Sequence, residues 1–321
     1  MAEPILSVRD LCVDYVSLDG PVRALDHVSL DLMPGEVVGV AGESGCGKST
    51  MAQAILRILP PPAVISGGQV IFEGRDILAL SEPELQRMRW ERIAMVFQSA
   101  MDALNPVLTV GEQIADTLRA HGAAPSGRAA RVRAAELLGT VGIHPDRLSS
   151  YPHQLSGGMR QRVGIAIALA LDPALVILDE PTTALDVIVE REILEEIQGL
   201  QRERGFAVMF ITHDLTRMLQ FANRVAIFYA AKLVEVAPAC QLRTEARHPY
   251  TRGLLRAFPS VHGGDVELSS IPGSPPSLRS PPRGCRFHPR CAVAVDLCRE
   301  REPDLVEIGP GHAAACHLVT G

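Results

Sequence analysis

Apolar residues along the chain follow two spacings that predict different elements. Alternating runs such as LSVRDLCVDYV and LDHVSLDL predict an antiparallel edge sheet between residues 5 and 40. The run EVVGVAG then enters a glycine-rich loop, and KSTMAQAILRIL continues with helical character, which predicts strand, loop and helix. From ALVILDE onward, apolar strand-like runs alternate with amphipathic helical runs. This alternation predicts an α/β fold with a mainly parallel sheet.

The same pattern divides the chain into two parts. Residues 105–170 are predicted to be mostly helical, between strand-like runs on either side. After about residue 258 the composition shifts, and SIPGSPPSLRSPPRG is dense in Pro, Ser and Gly. Such a stretch is typical of an extended connector to a small terminal unit. We therefore predict a main domain over residues 1–258 and a C-terminal extension over residues 259–321.

Composition narrows the class of protein. Of the 321 residues, 47% are hydrophobic and 21% are charged, which is typical of a globular protein. The formal net charge of −6 disfavours nucleic acid as a partner, because nucleic acids are bound mainly through clustered Lys and Arg. The most apolar run, GIAIALALDPALVIL, is interrupted by Asp172 and Pro173, so we expect no membrane-spanning segment. The first residues lack the pattern of a secretory signal, which favours a reducing compartment.

A phosphate-binding motif follows the strand-like run EVVGVAG. The loop GESGCGKST, residues Gly42–Thr50, fits the pattern G-x-x-x-x-G-K-[ST] between a predicted strand and a predicted helix. Its glycines let backbone amides turn towards an anion, and the following helix directs its positive end to the same place. Lys48 is predicted to reach the outer phosphates, and Ser49 to bind Mg²⁺. A glycine-rich turn with an incidental lysine explains the flanking elements less well.

Two carboxylates close the apolar run LVILDE. Asp179 suits Mg²⁺ binding through water, and Glu180 suits a general base that accepts a proton from the attacking water. An acidic pair at a strand end is more often a helix cap or a solvated turn. Together with the phosphate loop, the pair favours nucleotide hydrolysis.

The octapeptide LSGGMRQR at residues 155–162 resembles the signature of ABC-type ATPases. In that family the signature of one subunit closes over ATP held by the phosphate loop of its partner. The resemblance thus implies that Ser156, Gly157 and Gly158 contact nucleotide across a dimer. Met159 stands where the general pattern has Gln, and its side chain cannot supply the hydrogen bonds of an amide.

Other family motifs follow in the expected order. Gln98 in MVFQS resembles the glutamine of the loop that links nucleotide to the membrane partner, and TALD (Thr183–Asp186) resembles the loop that faces the opposite subunit. His213 in FITHD resembles the histidine that contacts the γ-phosphate, and Tyr15 resembles the aromatic residue that stacks on adenine. The implied catalytic residues are Glu180, His213, Gln98 and Lys48. The implied Mg²⁺ ligands are Ser49, Gln98 and Asp179. The implied nucleotide-binding residues are Tyr15, Gly42, Ser44, Gly45, Cys46, Gly47, Lys48, Ser49, Thr50, Gln98, Ser156, Gly157, Gly158 and Asp186.

The C-terminal region points to one branch of this family. RHPYTRGLLRAFPS followed by IPGSPPSLRSPPRGCRFHPRC resembles the C-terminal region of ATP-binding subunits from bacterial dipeptide, oligopeptide and nickel importers. The implied fold is an ABC-type P-loop ATPase with an antiparallel edge sheet, a helical subdomain at about residues 99–160 and a small Cys-rich extension. The implied activity is ATP hydrolysis that energises peptide import. Import of nickel or another small solute is the alternative, and a non-transport ABC ATPase is less favoured because no long coiled coil interrupts the cassette.

The resemblance also implies partners and a location. Such a subunit commonly pairs with a second, similar ATPase on two transmembrane permease subunits, which are fed by an extracytoplasmic solute-binding protein. A heterodimer is therefore expected, although a homodimer is also compatible with the sequence. The expected location is the cytoplasmic face of the bacterial inner membrane, as a peripheral subunit.

Four of the seven cysteines lie in the last forty residues, at Cys285, Cys291, Cys298 and Cys316. Five, six and seventeen residues separate them, so they lack the C-x-x-C pairing of common zinc sites, and four thiolates suit either Zn²⁺ or a [4Fe–4S] cluster. Free buried cysteines are the alternative without metal. The resemblance favours the [4Fe–4S] cluster over zinc and leaves open whether its role is structural or regulatory. Three nearby histidines would be substitute ligands, which four cysteines make unnecessary: His288, His312 and His317.

Overall fold

The structure is a computed structural model that describes residues 3–98, 103–182, 185–257 and 271–319. Two compact units are present. The first combines Met1–Leu78 with Phe210–Gly321, and the second is Ala79–Met209. The predicted boundary at residues 258 and 259 lies outside the described residues. The division into a main domain and an extension therefore stays a prediction.

The described elements begin with two long strands and continue as mixed strands and helices. The strands are β1 (Leu6–Tyr15), β2 (Val22–Leu32), β3 (Val37–Ala41), β4 (Ala63–Phe72), β5 (Arg75–Asp76), β6 (Ile93–Val96), β7 (Leu175–Asp179), β8 (Ala207–Ile211), β9 (Arg224–Tyr229), β10 (Lys232–Pro238), β11 (Val306–Gly309) and β12 (His312–Ala314). The helices are α1 (Lys48–Ile55), α2 (Glu82–Glu91), α3 (Val110–Ala120), α4 (Gly127–Thr140), α5 (Gly157–Ala168), α6 (Val187–Arg204), α7 (Leu215–Phe221), α8 (Ala239–Glu245), α9 (Pro249–Ala257) and α10 (Leu297–Glu300). Short 3₁₀ turns occupy Ile77–Ala79, Pro145–Ser149, Pro152–Gln154 and His288–Arg290.

Two sheets shape the first unit. Strands β2, β1, β4 and β5 form an antiparallel sheet in that order, with Leu6 opposite both Leu32 and Phe72. This confirms the antiparallel edge predicted for residues 5–40. The second sheet runs β11, β12, β10, β9 and β3, in which β3 and β9 are parallel and the other pairs are antiparallel. The last two strands of the chain thus extend a sheet of the ATPase core.

The second unit contains a parallel strand pair and the helices between them. Strands β6 and β7 pair in parallel, from Ile93 opposite Leu175 to Val96 opposite Leu178. Helices α3, α4 and α5 lie between these strands in the chain, which agrees with the helical character predicted for residues 105–170. Strand β8 crosses the boundary, because it begins in the second unit and ends in the first.

Three short strands are buried along their whole length. Every residue of β3 (VVGVA), β7 (LVILD) and β8 (AVMFI) is buried, as expected for parallel strands that are covered on both faces. Their ends carry the residues with candidate chemistry. Across the described ranges, no helix is both long enough and apolar enough to cross a bilayer.

Candidate functional site

The phosphate loop joins the end of β3 to the start of α1. Gly42 has φ 153°, and a Cβ there would lie 2.3 Å from the carbonyl oxygen of Phe228, so only glycine fits. Gly47 is the N-cap of α1 at φ 109°, and a Cβ there would lie 2.5 Å from the carbonyl oxygen of Ala24. Both glycines bring the loop backbone against the core. The loop is therefore shaped by close backbone packing before any ligand arrives.

Lys48 is the first residue of α1 and is buried, with 6% of its surface exposed. Its Nζ donates to the carbonyl oxygens of Gly42 at 2.8 Å and Glu43 at 3.0 Å. Burying an ammonium is costly unless it is hydrogen-bonded, and these loop carbonyls meet that need. The predicted phosphate-binding lysine is thus held over its own loop.

The remaining residues of the phosphate loop differ in their solvent exposure. Ser44 and Gly45 are exposed, whereas Ser49 and Thr50 are half-buried on the first turn of α1. The first turn of a helix has amides without partners inside the helix, which suits anion binding. Cys46 is buried, and burial raises the pKa of its thiol. Its side chain is a core residue, so any contact of Cys46 with nucleotide is through the backbone.

The acidic strand end contains a hydrogen bond that sequence reasoning missed. Asp179 ends β7 and is 3% exposed, and Glu180 follows it at φ 46°, in the left-handed region. Such backbone strain costs roughly 1–2 kcal/mol and is concentrated at functional sites. The amide Nε2 of Gln98 donates to Oε2 of Glu180 at 2.9 Å. Two predicted catalytic residues, 82 positions apart, are therefore in direct contact.

His213 lies two residues after the end of β8, in the first unit. Its side chain is exposed, and the backbone amide of the preceding Thr212 donates to the carbonyl oxygen of Val40 at 3.4 Å. The next residue, Asp214, caps α7 by accepting from the amide of Arg217 at 3.1 Å. His213 is thus an exposed residue in a turn whose two flanks are fixed.

The signature segment begins α5. Ser156 is the N-cap and its Oγ accepts from the amide of Met159 at 3.2 Å. Gly158 is buried, and a Cβ there would lie 2.5 Å from Cγ1 of Val189. Ser156 and Gly158 therefore have local structural reasons for their identity. Gly157 is half-buried at the start of the helix.

Two further residues that were predicted to contact nucleotide, Asp186 and Tyr15, have defined neighbours in the structure. Asp186 caps α6, accepting from the amides of Ile188 at 3.1 Å and Val189 at 3.0 Å. Thr183 and Ala184, which begin the TALD motif, lie outside the described residues. Tyr15 ends β1, half-buried, and is paired with Val22 and Ala63 on the neighbouring strands.

The four C-terminal cysteines are brought together. The amide of Cys285 donates to the carbonyl oxygen of Cys298 at 2.8 Å. Burial raises the pKa of the Cys285 thiol to about 11, with further contributions from Cys298, Cys316 and Cys291. Burial likewise raises the pKa of Cys291 and Cys316, with smaller contributions from neighbouring thiols. Sulfurs separated by up to 31 positions in the sequence thus interact electrostatically.

One group of potential metal-ligand atoms lies close together within the described ranges. Ligand atoms of Cys12, Asp26 and His27 lie within 4.8 Å of one another. The carboxylate of Asp26 is already paired with Lys232 at 3.0 Å and with Arg286, so it serves these cations rather than a metal.

The three histidines considered as substitute ligands have other partners. Nδ1 of His288 lies 2.9 Å from the carbonyl oxygen of Cys285, and Nε2 of His317 lies 2.8 Å from that of Arg301. Nε2 of His312 lies 2.8 Å from Oε1 of the fully buried Glu235. These contacts agree with a site built from cysteines alone.

The fold and the site together define the class of protein. The phosphate loop, the acidic strand end and the signature segment are those of an ABC-type ATPase, and the ABC transporter family matches residues 25–183. The family described as the oligopeptide/dipeptide transporter C-terminal region matches residues 234–298. The chain therefore belongs to the ABC transporter ATP-binding proteins that carry this C-terminal region.

Curated relatives match along nearly the whole chain. A probable peptide ABC transporter ATP-binding protein of Sinorhizobium fredii is 48% identical over 319 residues, which is 98% of this chain and 95% of that protein. The dipeptide transport ATP-binding protein DppD of Caldanaerobacter subterraneus is 42% identical, over 98% of this chain and 97% of its own length. The oligopeptide transport ATP-binding protein OppD of Bacillus subtilis is 44% identical, over 96% and 87% respectively.

Solved structures support the same class. The ATP-binding cassette MJ0796, a dimer in a post-hydrolysis state bound to ADP and phosphate, has a TM-score of 0.66 and 30% identity. The match covers 73% of this chain and 98% of that cassette. The predicted α/β fold of an ABC-type ATPase, which binds ATP and Mg²⁺, is confirmed.

Proposed function

We propose that this chain is the ATP-hydrolysing subunit of a bacterial importer for dipeptides or oligopeptides. The observation that carries this proposal is the full-length similarity to ATP-binding proteins whose names specify peptide, dipeptide or oligopeptide transport. The matching C-terminal region supports the same branch.

The residue roles within hydrolysis follow from their chemistry. Lys48 binds the outer phosphates, and the carboxylate of Glu180 accepts a proton from the attacking water. The hydrogen bond from Gln98 holds the Glu180 carboxylate in one orientation. The hydroxyl of Ser49, the amide of Gln98 and the carboxylate of Asp179 are hard oxygen ligands of the kind that Mg²⁺ prefers. When bound, Mg²⁺ neutralises charge on the phosphates.

The proposed assembly contains two such cassettes. Ser156, Gly157 and Gly158 of one subunit contact ATP on the phosphate loop of the other, and Asp186 faces that subunit. Tyr15 stacks on adenine, and His213 contacts the γ-phosphate. Closure of the pair drives two transmembrane permeases through an outward-open state, and hydrolysis resets them. The second cassette is a similar but distinct chain, and the complex lies at the cytoplasmic face of the inner membrane with a solute-binding protein outside.

We also propose that Cys285, Cys291, Cys298 and Cys316 hold a [4Fe–4S] cluster. This choice is supported by the proximity of the four cysteines, whose thiols interact electrostatically, and by the match to the oligopeptide/dipeptide transporter C-terminal region. The cluster would hold together a segment with little secondary structure, since residues 285–300 contain only a 3₁₀ turn and the four-residue helix α10.

The catalytic proposal is tested by Glu180→Gln in the assembled transporter. The change removes the base but keeps a side chain that accepts from Gln98, so steady-state ATP hydrolysis should fall by about 10²–10⁴-fold with ATP binding retained. The control is Glu195→Gln, an exposed residue of α6 that pairs with Arg191. Hydrolysis near the wild-type rate in the Glu180 variant would remove Glu180 from the role of base.

The substrate class is tested separately. The complex, purified with its permeases and solute-binding protein, should raise its ATP hydrolysis when that binding protein is loaded with a dipeptide or an oligopeptide. Stimulation by Ni²⁺-loaded binding protein and none by peptides would overturn the peptide assignment.

A further inference from the structure

Glu43 in the phosphate loop is paired with Arg290, which lies in the cysteine-rich segment at residues 285–298. Nη1 of Arg290 lies 2.7 Å from Oε2 of Glu43, and Nη2 lies 2.9 Å from Oε1. This two-point pairing of guanidinium and carboxylate is the geometry that fixes both groups most firmly. It joins positions 247 apart within the first unit.

The surroundings of Arg290 hold it in this position. Its side chain is 6% exposed, Nε donates to the carbonyl oxygen of Pro272 at 2.8 Å, and Nη1 also reaches the hydroxyl of Tyr229 at 3.3 Å. The guanidinium carbon lies 5.8 Å from the ring centre of Tyr229 and 6.0 Å from that of Phe287. A cation with these partners loses little further freedom when it binds a carboxylate.

Glu43 is held on its backbone as well as on its side chain. Its amide donates to the hydroxyl of Tyr250 at 3.0 Å, and its carbonyl oxygen accepts from Nζ of Lys48 at 3.0 Å. Tyr250 packs against Tyr229 and Phe287, with ring centres 4.6 Å and 5.4 Å away. The arginine, the aromatic cluster and the phosphate-binding lysine are thus joined through one loop residue.

The carboxylate of Glu43 is an unusual neighbour for a loop that binds phosphates, because like charges repel. Arg290 supplies the compensating positive charge from outside the loop. We propose that Arg290 is a positioning residue of the nucleotide site, and that through it the cysteine-rich segment sets the affinity of the phosphate loop for ATP. Arg290 does not touch the phosphates; it acts on Glu43.

The link to the cysteines follows from the chain itself. Arg290 ends the 3₁₀ turn His288–Arg290, whose flanks carry Cys285 and Cys291. A metal on Cys291 fixes the backbone from which Arg290 extends. This part of the inference rests on the proposed metal site, whereas the action of Arg290 on Glu43 does not.

A double-mutant cycle tests the action on Glu43. The affinity of the purified full-length chain for a fluorescent ATP analogue is measured for Arg290→Gln, Glu43→Gln and the double variant. Arg290→Gln should weaken binding roughly 10-fold, because it leaves the Glu43 carboxylate uncompensated. In the Glu43→Gln background the same substitution should change binding less than about 2-fold, since no charge is left to compensate.

The controls separate positioning from general stability. Arg279→Gln removes an exposed arginine six positions before Cys285, which pairs with Asp19 at 3.2 Å, and should leave affinity unchanged. Arg290→Lys keeps the charge without the two-point geometry and should recover part of the affinity. If Arg290→Gln fails to fold, the pair Glu43→Arg with Arg290→Glu replaces it and should bind more tightly than Arg290→Glu alone. An equal loss in the presence and absence of the Glu43 carboxylate would overturn the proposal.

A separate arm tests the link to the metal. Wild-type chain purified without oxygen is compared before and after metal removal by a chelator, with iron content and affinity for the ATP analogue measured on the same samples. Weaker binding in the metal-free wild type, and no such change in Arg290→Gln, is the expected result. Unchanged binding after complete loss of iron would separate the two sites while leaving the Arg290–Glu43 result standing.

Discussion

The phosphate loop and the four-cysteine segment lie in the same unit, and their conformations are stabilised in different ways. The phosphate loop has its conformation fixed by backbone packing at Gly42 and Gly47 and by a buried lysine bonded to loop carbonyls. Residues 285–300 of the cysteine segment contain only a 3₁₀ turn and one short helix. Backbone packing thus fixes the phosphate loop, whereas we expect the proposed cluster to stabilise the cysteine segment.

The difference follows from what each loop can bury. The phosphate loop lies between β3 and α1, whose apolar residues belong to the core. The cysteine segment buries Phe287 against Tyr229 and Tyr250 but exposes Val293, Val295 and Leu297, so its apolar packing is limited. Four metal–sulfur bonds would provide the cross-links that this segment cannot obtain from packing.

The largest effect is therefore expected when one of the proposed metal ligands is removed. Cys291→Ser removes one of the four thiolates, and we expect iron to fall from about four atoms per chain to well below one. The melting temperature should fall by about 5–10 °C, because the segment loses its cross-links. Iron analysis and thermal unfolding measure the two effects. The control is Cys240→Ser, since Cys240 is an exposed cysteine of α8. Stoichiometric zinc without iron in the wild-type chain would contradict the cluster.

A smaller effect, on ATP affinity, is expected from a substitution in the phosphate loop. Lys48→Ala removes a charge from the outer phosphates and two hydrogen bonds from the loop, so ATP affinity should fall roughly 10–100-fold. Iron content should not change, because Lys48 contacts no part of the cysteine segment among its described hydrogen bonds. Equilibrium titration with an ATP analogue measures the loss, and Arg131→Ala on the exposed side of α4 is the control. Loss of iron in the Lys48 variant would show that the cysteine segment depends on the phosphate loop.

The sequence predicts the two loops unequally. The phosphate loop is a contiguous pattern of nine residues between a strand and a helix, so both its fold and its chemistry are local properties. The four cysteines are visible as residues, but the spacing alone leaves zinc and a cluster open. The proximity of their thiols becomes apparent only once the tertiary structure is known.

Contacts between residues far apart in the sequence could not be predicted from the sequence. Nothing local connects Glu43 to Arg290, or Gln98 to Glu180, because each pair depends on tertiary structure. Glu235 is fully buried in β10 and accepts from the amides of Arg247 and His248 and pairs with His312. A charged residue in an apolar strand pattern is the signal that such partners must exist, but the pattern does not identify them.

The smallest effect concerns the second arginine that attaches the cysteine segment to the core. Arg286 follows Cys285 and pairs with Asp26 of β2, as Arg290 pairs with Glu43 of the phosphate loop. Asp26 has other cationic partners, Lys232 at 3.0 Å and Arg23 at 3.4 Å. Removing one of three cations leaves a carboxylate that is still compensated, whereas Glu43 has no second cation among its described ion pairs.

Arg286→Gln should therefore lower the free energy of unfolding by about 1–2 kcal/mol, which is less than the usual cost of breaking a buried pair. Its affinity for the ATP analogue should stay within about 2-fold of wild type, because Asp26 is not part of the phosphate loop. Chemical denaturation and equilibrium titration measure the two quantities on the same preparation. If Arg286→Gln weakened ATP binding as much as Arg290→Gln, the attachment of the segment as a whole, rather than the pairing with Glu43, would control the loop.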